Sequence, residues 1–157
     1  MTPDFTFFDG HNDLLWHLHN QSDLTGASFF AGRDGALDVA KCRTGGFGGG
    51  FFALFVAGDD LPGADVKRPV DIDKARRVTF EMAAILVRMT RANPAKLRLC
   101  TTAAQIEEAR SAGAIAAVMH LEGAEAIGPD FGELEMLHAA GLRSLGPVWS
   151  RPNRFGH

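Results

Sequence analysis

The sequence predicts an α/β fold in which helices cover both faces of a parallel β-sheet. Two observations carry this prediction. Short apolar runs alternate with helical stretches, a rhythm typical of strand–helix–strand units with right-handed crossovers. The apolar runs also lack polar alternation, so both faces of the sheet should be covered. At 157 residues the chain is long enough for one domain with a substantial core.

Four apolar runs mark the expected strands. The second run is nearly all apolar, and the fourth is the weakest of the set. Four strands cannot close an eight-stranded barrel, so they form either an open sheet or half of something larger. The runs are Phe5–Phe8, Gly50–Val56, Ala114–Met119 and Leu142–Val148.

Two helices have clear boundary signals. The longer runs from Asp71 to about Ala92, where apolar residues recur every three to four positions. Asp71 is the expected N-cap, and Asn93-Pro94 ends the helix. A capping box at Thr102–Gln105 begins the second helix, which Gly113 ends.

The remaining stretches give weaker signals. A third helix ends at Gly141, and its apolar residues are Phe131, Leu134 and Leu137. Gly26–Thr44 is polar, glycine-containing and aperiodic, which indicates a long loop with little regular structure. A second loop is expected over Gly58–Pro69.

Composition excludes some classes of function. The formal net charge of −3, without a basic cluster, argues against nucleic-acid binding. The longest apolar stretch, Phe51–Ala57, is too short to span a bilayer. No secretion signal is visible, so we expect a cytoplasmic protein. Cys42 and Cys100 form no CxxC pair and are expected to be free, buried thiols, with a disulfide left open.

The first candidate site follows the first strand, at Asp9-Gly10-His11-Asn12-Asp13. Residues two apart on an extended chain point the same way, so Asp9, His11 and Asp13 can share a face. Imidazole and carboxylate ligands at this spacing suit a divalent metal such as zinc. Alternatively, Asp9-Gly10 forms a turn, Asp13 caps a helix and His11 is an incidental loop residue.

The second candidate site is His120-Leu121-Glu122, at the end of the third strand. Burying an unpaired carboxylate after so apolar a run would be costly, and a metal ion would remove that cost. His120 and Glu122 share a face by the same two-residue period. The alternative is a strand that ends in water, where Glu122 is merely solvated.

The glycine cluster Gly45–Gly50 leads into a strand, whereas phosphate-binding loops lead into a helix. It therefore indicates close backbone approach or a bulge. Trp149 to Arg154 follow the fourth strand, and this aromatic, amide and arginine set either holds a substrate carboxylate or forms a solvated loop. His17, His19 and His138 are expected to be surface or hydrogen-bonded residues. No GxSxG motif supports a covalent nucleophile.

Taken in order, four segments resemble the membrane (renal) dipeptidase family of the amidohydrolase superfamily. They are Asp9–Leu14, Gly45–Phe52, His120–Ala124 and Gly141–Leu145. The resemblance implies a (β/α)8 barrel of the TIM type, of which the chain covers about the first four strand–helix units. Residues 1–157 would then be the N-terminal half of one metal-dependent hydrolase barrel, with no separate second domain.

The resemblance also implies a chemistry. The family hydrolyses dipeptides, often with a D-residue at the C-terminal position, through a hydroxide shared by two zinc ions. His11 and Asp13 would hold one zinc, and Glu122 would bridge both. The second zinc's two histidines and a proton-handling aspartate come from later strands and have no match here. Trp149 stands where mammalian members have a substrate-contacting histidine, and we expect Trp149 and Asn153 to bind substrate.

These inferences leave three hypotheses. The leading one is a zinc dipeptidase acting on small dipeptides. The second keeps the superfamily but changes the substrate to another amide, a lactone or an ester. The third is non-enzymatic: a truncated, catalytically incomplete product, or a half-barrel that pairs with another chain because its edge strands would be unpaired. A homo-oligomer is left open.

Overall fold

The computed structural model describes residues 6–58, 69–149 and 151–156. Within these ranges all strand pairs are parallel. The strands are β1 (Phe7–Asn12), β2 (Phe47–Phe55), β3 (Leu97–Leu99), β4 (Ile115–Glu122) and β5 (Leu142–Gly146). The helices are α1 (Leu14–Asn20), α2 (Ala27–Ala31), α3 (Val39–Gly45), α4 (Ile72–Ala92), α5 (Ala103–Ser111) and α6 (Gly132–Ala140).

Each of the four predicted strands is present, and the structure adds β3. Only three residues long, Leu97–Leu99 is too short to stand out as an apolar run. β1 begins later than predicted and extends through His11 to Asn12. Its polar second half is held in strand geometry by pairing with β2. The pairing therefore overrides the weak β-propensity of Asp, Gly and Asn.

The predicted helix starts are confirmed. The Asp71 side chain caps α4 by accepting from the backbone N–H groups of Asp73 and Lys74. Thr102 caps α5 by accepting from the Gln105 N–H at 3.2 Å. The Gln105 side chain accepts instead from the Thr101 N–H at 2.7 Å, so the capping box reaches one residue further back than predicted.

The prediction of a long loop over Gly26–Thr44 is wrong, because α2 and most of α3 lie there. Asp38 begins α3 by accepting a hydrogen bond from the Lys41 N–H. Five- and seven-residue helices are too short to show an apolar period. The other predicted loop, Gly58–Pro69, falls almost wholly outside the described residues.

The sheet order shows how four of the strands form a barrel-like series. β1 pairs with β2, and β2 pairs with β4 from Gly49 to its end. Both β3 and β5 therefore lie on the other edge of β4, β3 at its start and β5 at its end. Consecutive barrel positions are thus taken by β1, β2, β4 and β5, with β3 as a short addition.

Helices cover both faces of the sheet. Phe52 and Leu54 of β2 join Met119 and Leu121 of β4 in the main core, beneath α1, α3, α4 and α6. On the opposite face, α5 packs against Ala116 and Val118 near the start of β4. The crossover from β3 to β4 runs backwards along the sheet, so a right-handed connection places α5 on this opposite face.

The predicted close approach at the glycine cluster is confirmed. A Cβ atom on Gly49 would lie 2.5 Å from the Ala116 carbonyl oxygen, and one on Gly50 would lie 2.8 Å from the Asp9 Cβ. Both distances are shorter than real Cβ contacts allow. Glycine therefore lets β2 fit between its two neighbours.

Cys42 and Cys100 are buried and free, as the sequence predicted. Burial raises the pKa of both thiols, that of Cys42 to about 12. Among the described residues, no helix combines the length and apolar character needed to cross a bilayer.

Candidate metal centre

The structure brings His11, Asp13 and Glu122 together at the carboxyl ends of β1 and β4. One ligand atom from each residue lies within 4.8 Å of the other two. The His11 Nε2 atom is 3.2 Å from the Asp13 Oδ1 atom and 3.3 Å from the Glu122 Oε2 atom. One imidazole and two carboxylates thus converge on a single point that a cation of charge +2 can occupy.

Asp13 reaches this cluster from the start of a helix rather than from a strand. β1 ends at Asn12, and Asp13 is the N-cap residue of α1 with φ −98° and ψ 23°. Its side chain makes no capping hydrogen bond, so the carboxylate turns to His11 instead. The alternative of a capping aspartate therefore describes its backbone position but not its side chain.

Asp9 is not a member of this cluster, although the sequence allowed Asp9, His11 and Asp13 to share a face. The pairing of β1 is irregular between Asp9 and Asn12, which breaks the two-residue period. Asp9 instead accepts from the His11 backbone N–H at 3.4 Å and from the Asn12 Nδ2 group at 3.1 Å. Asn12 also donates to the Phe51 carbonyl at 3.1 Å, which ties this segment to β2.

Glu122 is half-buried at the end of β4. Burial raises the pKa of its carboxyl, with Asp13 adding to the rise and His11 opposing it. The unfavourable burial of negative charge, inferred from the sequence, is therefore present in the structure. A cation at this point would offset it.

His120 lies on the same face, two residues before Glu122. Its Nδ1 atom is 2.8 Å from the Ser144 hydroxyl, and its ring meets the His11 ring edge-on at 5.7 Å. Burial, followed by the nearby His11, lowers the pKa of His120. His120 is not a member of the metal-capable group found among the described residues.

The two predicted substrate-binding residues lie in the loop after β5. Trp149 is 38% exposed, and its ring packs edge-on against Phe55 at 4.7 Å. The Asn153 amide donates to the Pro147 carbonyl at 2.6 Å and accepts from the Phe155 N–H at 2.8 Å. Asn153 therefore shapes its own loop, and a substrate contact by either residue stays a prediction.

The other histidines behave as expected. His19 Nε2 lies 2.7 Å from a carboxylate oxygen of Glu81, while His17 and His138 are exposed on α1 and α6. Sequence reasoning missed the burial of Arg151, which is 3% exposed beneath Trp149. Its position depends on a fold contact with Val56, which no local pattern reveals.

Comparison with known families shows which family this chain belongs to. The family model described as membrane dipeptidase (peptidase family M19) matches residues 1–157. The chain belongs to the membrane dipeptidase family. The resemblance inferred from four short segments is thereby confirmed.

Individual members of the membrane dipeptidase family agree with the fold. A metallopeptidase from Rhodobacter sphaeroides, liganded with a phosphinate mimic of L-Ala-D-Ala, is 37% identical with a TM-score of 0.84, covering 94% of this chain and 46% of that one. The dipeptidase AC structure is 40% identical with a TM-score of 0.83, covering 96% and 44%. These matches confirm the parallel α/β fold class and show that the chain covers less than half of the length of either solved structure.

A curated relative from Acinetobacter calcoaceticus, an uncharacterized protein in the PQQ-III 3′ region, is 32% identical. The match covers 96% of this chain and 50% of that protein. The dipeptidase ataJ of Aspergillus terreus is 28% identical, with 94% and 36% covered. The chain thus spans no more than about half the length of the curated relatives it matches.

Proposed function

We propose that this chain supplies the first metal position of a zinc-dependent dipeptidase, with His11, Asp13 and Glu122 as ligands. The observation that supports it best is the convergence of their ligand atoms within 4.8 Å. The residues stand at the carboxyl ends of parallel strands, where α/β enzymes place their active sites. Membership of the membrane dipeptidase family makes a dipeptide the proposed substrate.

The donor set fits zinc. Zinc takes imidazole nitrogen and carboxylate oxygen at about 2.0–2.2 Å, and atoms up to 4.8 Å apart can surround one ion at that radius after small side-chain rotations. Bound zinc would polarise the peptide carbonyl and lower the pKa of a water molecule at the site.

The residues around the ligands hold them in place. Two hydrogen bonds fix the backbone at the end of β1. Asp9 accepts from the His11 backbone N–H, and Asn12 donates to the Phe51 carbonyl on β2. Zinc ligands commonly depend on such outer partners for their orientation. Glu122 is fixed by the regular pairing of β4 with β2. Because β1 and β4 each pair with β2, this central strand sets the distance between the two parts of the ligand set.

We extend the proposal to dipeptides with a D-residue at the C-terminal position. The Rhodobacter sphaeroides relative, whose structure holds a mimic of L-Ala-D-Ala, supports this choice. Trp149 would contribute an apolar surface beside the scissile bond, in place of a hydrogen-bonding side chain.

Zinc content tests the ligand set. We expect His11→Ala and Glu122→Gln to lower zinc affinity by at least about 100-fold, because outer partners of zinc ligands alone account for about 10- to 100-fold. His138→Ala is the matched control, since this histidine is exposed on α6 and lies outside the cluster. Unchanged zinc affinity in both ligand variants would refute the proposal.

Turnover tests the substrate class. Because the chain spans about half of its relatives' length, the assay uses a zinc-loaded protein that also supplies the remaining strands of the barrel. Its substrates are L-Ala-D-Ala and L-Ala-L-Ala, in parallel with an N-acyl amino acid and a lactone. Hydrolysis of the dipeptides alone supports the proposal. Faster hydrolysis of the lactone or the acylated amino acid would assign the site to another reaction of the same superfamily.

A further inference from the structure

The imidazole of His120, on β4, contacts side chains of three other strands beside the proposed ligands. Its Nδ1 atom is 2.8 Å from the Ser144 hydroxyl on β5. Its ring meets the His11 ring of β1 edge-on, with 5.7 Å between the ring centres, and lies 5.9 Å from the Phe51 ring of β2. Through these contacts one half-buried side chain joins β5 to the residue that supplies the imidazole ligand.

An irregularity in β5 brings the Ser144 hydroxyl to His120. Met119 of β4 pairs with Leu142, and both side chains lie in the main core. The next residue, His120, pairs with Ser144, so Arg143 is an extra residue of β5. In a regular strand Leu142 and Ser144 would share a face, and the hydroxyl would point into the core. The extra residue turns the hydroxyl to the face of His120, as β-bulges do beside active sites.

The His11 side chain has few other supports among the described residues. Its Nε2 atom faces Asp13 and Glu122, the other two proposed ligands. Histidines that bind zinc usually donate their second ring N–H group to a carboxylate or carbonyl oxygen, which fixes the ring. Within residues 6–58, 69–149 and 151–156, the His11 Nδ1 atom makes no such hydrogen bond. The edge contact with His120 is therefore the contact that can set the plane of the His11 ring.

We propose that His120 is a positioning residue for the metal ligand His11. Ser144 holds the His120 imidazole through its Nδ1 atom, and this imidazole keeps the His11 Nε2 atom turned towards the two carboxylates. The inference rests on the proposed function, because the metal position gives this orientation its purpose. The packing of the two rings can be measured without metal, so the two proposals fail separately.

Two substitutions separate the ring of His120 from its hydrogen bond. His120→Asn places an amide near the position of the Nδ1 atom and loses the ring, whereas His120→Phe keeps a ring and loses the hydrogen bond. Both are made in the protein of the turnover assay, and zinc affinity is measured by competition with a chelator. We expect His120→Asn to lower zinc affinity by about tenfold, the lower end of the range for outer partners of zinc ligands. The fall in His120→Phe should be clearly smaller.

Two further variants complete the series. His19→Asn is the matched control, because His19 is also half-buried and hydrogen-bonded, to Glu81 at 2.7 Å, but lies outside the metal cluster. It should leave zinc affinity unchanged. Ser144→Ala removes the hydroxyl that orients the imidazole, so it should lower zinc affinity in the parent protein. In a His120→Phe background it should add no further loss, since phenylalanine has no nitrogen to bond.

Nuclear magnetic resonance tests the ring packing in the metal-free protein. With isotope-labelled histidine, we expect a nuclear Overhauser effect between the ring protons of His11 and His120, which pack edge to face. His120→Phe identifies the His120 signals by their loss. Ser144→Ala should weaken the effect, because the imidazole loses the hydrogen bond that holds it.

The results separate the two proposals. Unchanged zinc affinity in His120→Asn, or an equal fall in His120→Asn and His120→Phe, overturns the positioning role. Failure of the parent protein to bind zinc overturns the proposed function, while the Overhauser effect and its loss in Ser144→Ala still decide whether His120 orients His11. If circular dichroism shows that His120→Asn does not fold, Ser144→Ala is the deciding variant. Unchanged zinc affinity and an unchanged Overhauser effect in Ser144→Ala overturn the role.

Discussion

Replacing Gly49 with alanine tests whether the glycine cluster exists to let strands approach. The new Cβ atom would lie 2.5 Å from the Ala116 carbonyl oxygen, 2.8 Å from the Ala116 Cβ atom and 3.0 Å from the Phe8 ring. Two of these atoms belong to the neighbouring strand close to its backbone and cannot rotate away. β2 must therefore move away from β4 by several tenths of an ångström or more.

The size of the effect follows from this crowding. Overpacking of a well-packed interior costs about 1–3 kcal/mol, which corresponds to a fall in Tm of about 2–12 °C for a chain of this length. Gly45→Ala is the matched control within the same cluster. Gly45 ends α3, and a Cβ atom added there would have nothing within 4 Å, so alanine should be neutral or stabilising by up to about 1 kcal/mol.

Thermal unfolding followed by circular dichroism and urea unfolding compares the two variants with the parent protein. We expect Gly49→Ala to lower the free energy of unfolding, and Gly45→Ala to leave it unchanged or to raise it. Equal stability of the two variants would refute the close-approach explanation. The glycines would then need another role in this segment.

Three further predictions concern parts of the fold away from the metal centre. The hydrogen bond from Lys41 lowers the pKa of Asp38 from 3.8 to about 2. The ionised carboxylate therefore stabilises the folded chain fully above about pH 4, and this stabilisation is lost as the pH falls towards 2. Asp38→Asn should flatten this part of a plot of urea midpoint against pH. Thr102→Ala removes the N-cap of α5 and should cost about 1 kcal/mol in urea unfolding. Because burial raises the pKa of Cys42 to about 12, the folded chain should resist a disulfide reagent at pH 8 that labels the urea-unfolded chain at two thiols, and rapid labelling of the folded chain would contradict this.

Long, periodic elements could be predicted from the sequence, and short ones could not. The 21 residues of α4 repeat the helical period over several turns, with a capping aspartate before them. By contrast, α2 and β3 span five and three residues, within which no period can be recognised. The second half of β1 contains poor strand formers, so only its pairing with β2 reveals it.

The candidate ligands could be predicted because the topology brings them together. A parallel sheet collects the carboxyl ends of its strands on one edge, so residues after β1 and residues at the end of β4 meet despite their distance in the chain. No comparable rule of topology predicts the buried position of Arg151. It depends on side chains from separate loops and on empty space at Gly58, which appears only once the chain has folded.

The ladder between β2 and β4 limits where this chain can change in length. Its seven consecutive pairs run from Gly49 with Ala116 to Phe55 with Glu122 without a shift in register. One residue inserted within β4 would turn every later side chain to the opposite face and would place the Glu122 carboxylate among the core helices. The exposed turn at Gly113, where nothing lies within 4 Å, can absorb an extra residue. An inserted residue should therefore be tolerated at Gly113 and excluded along β4.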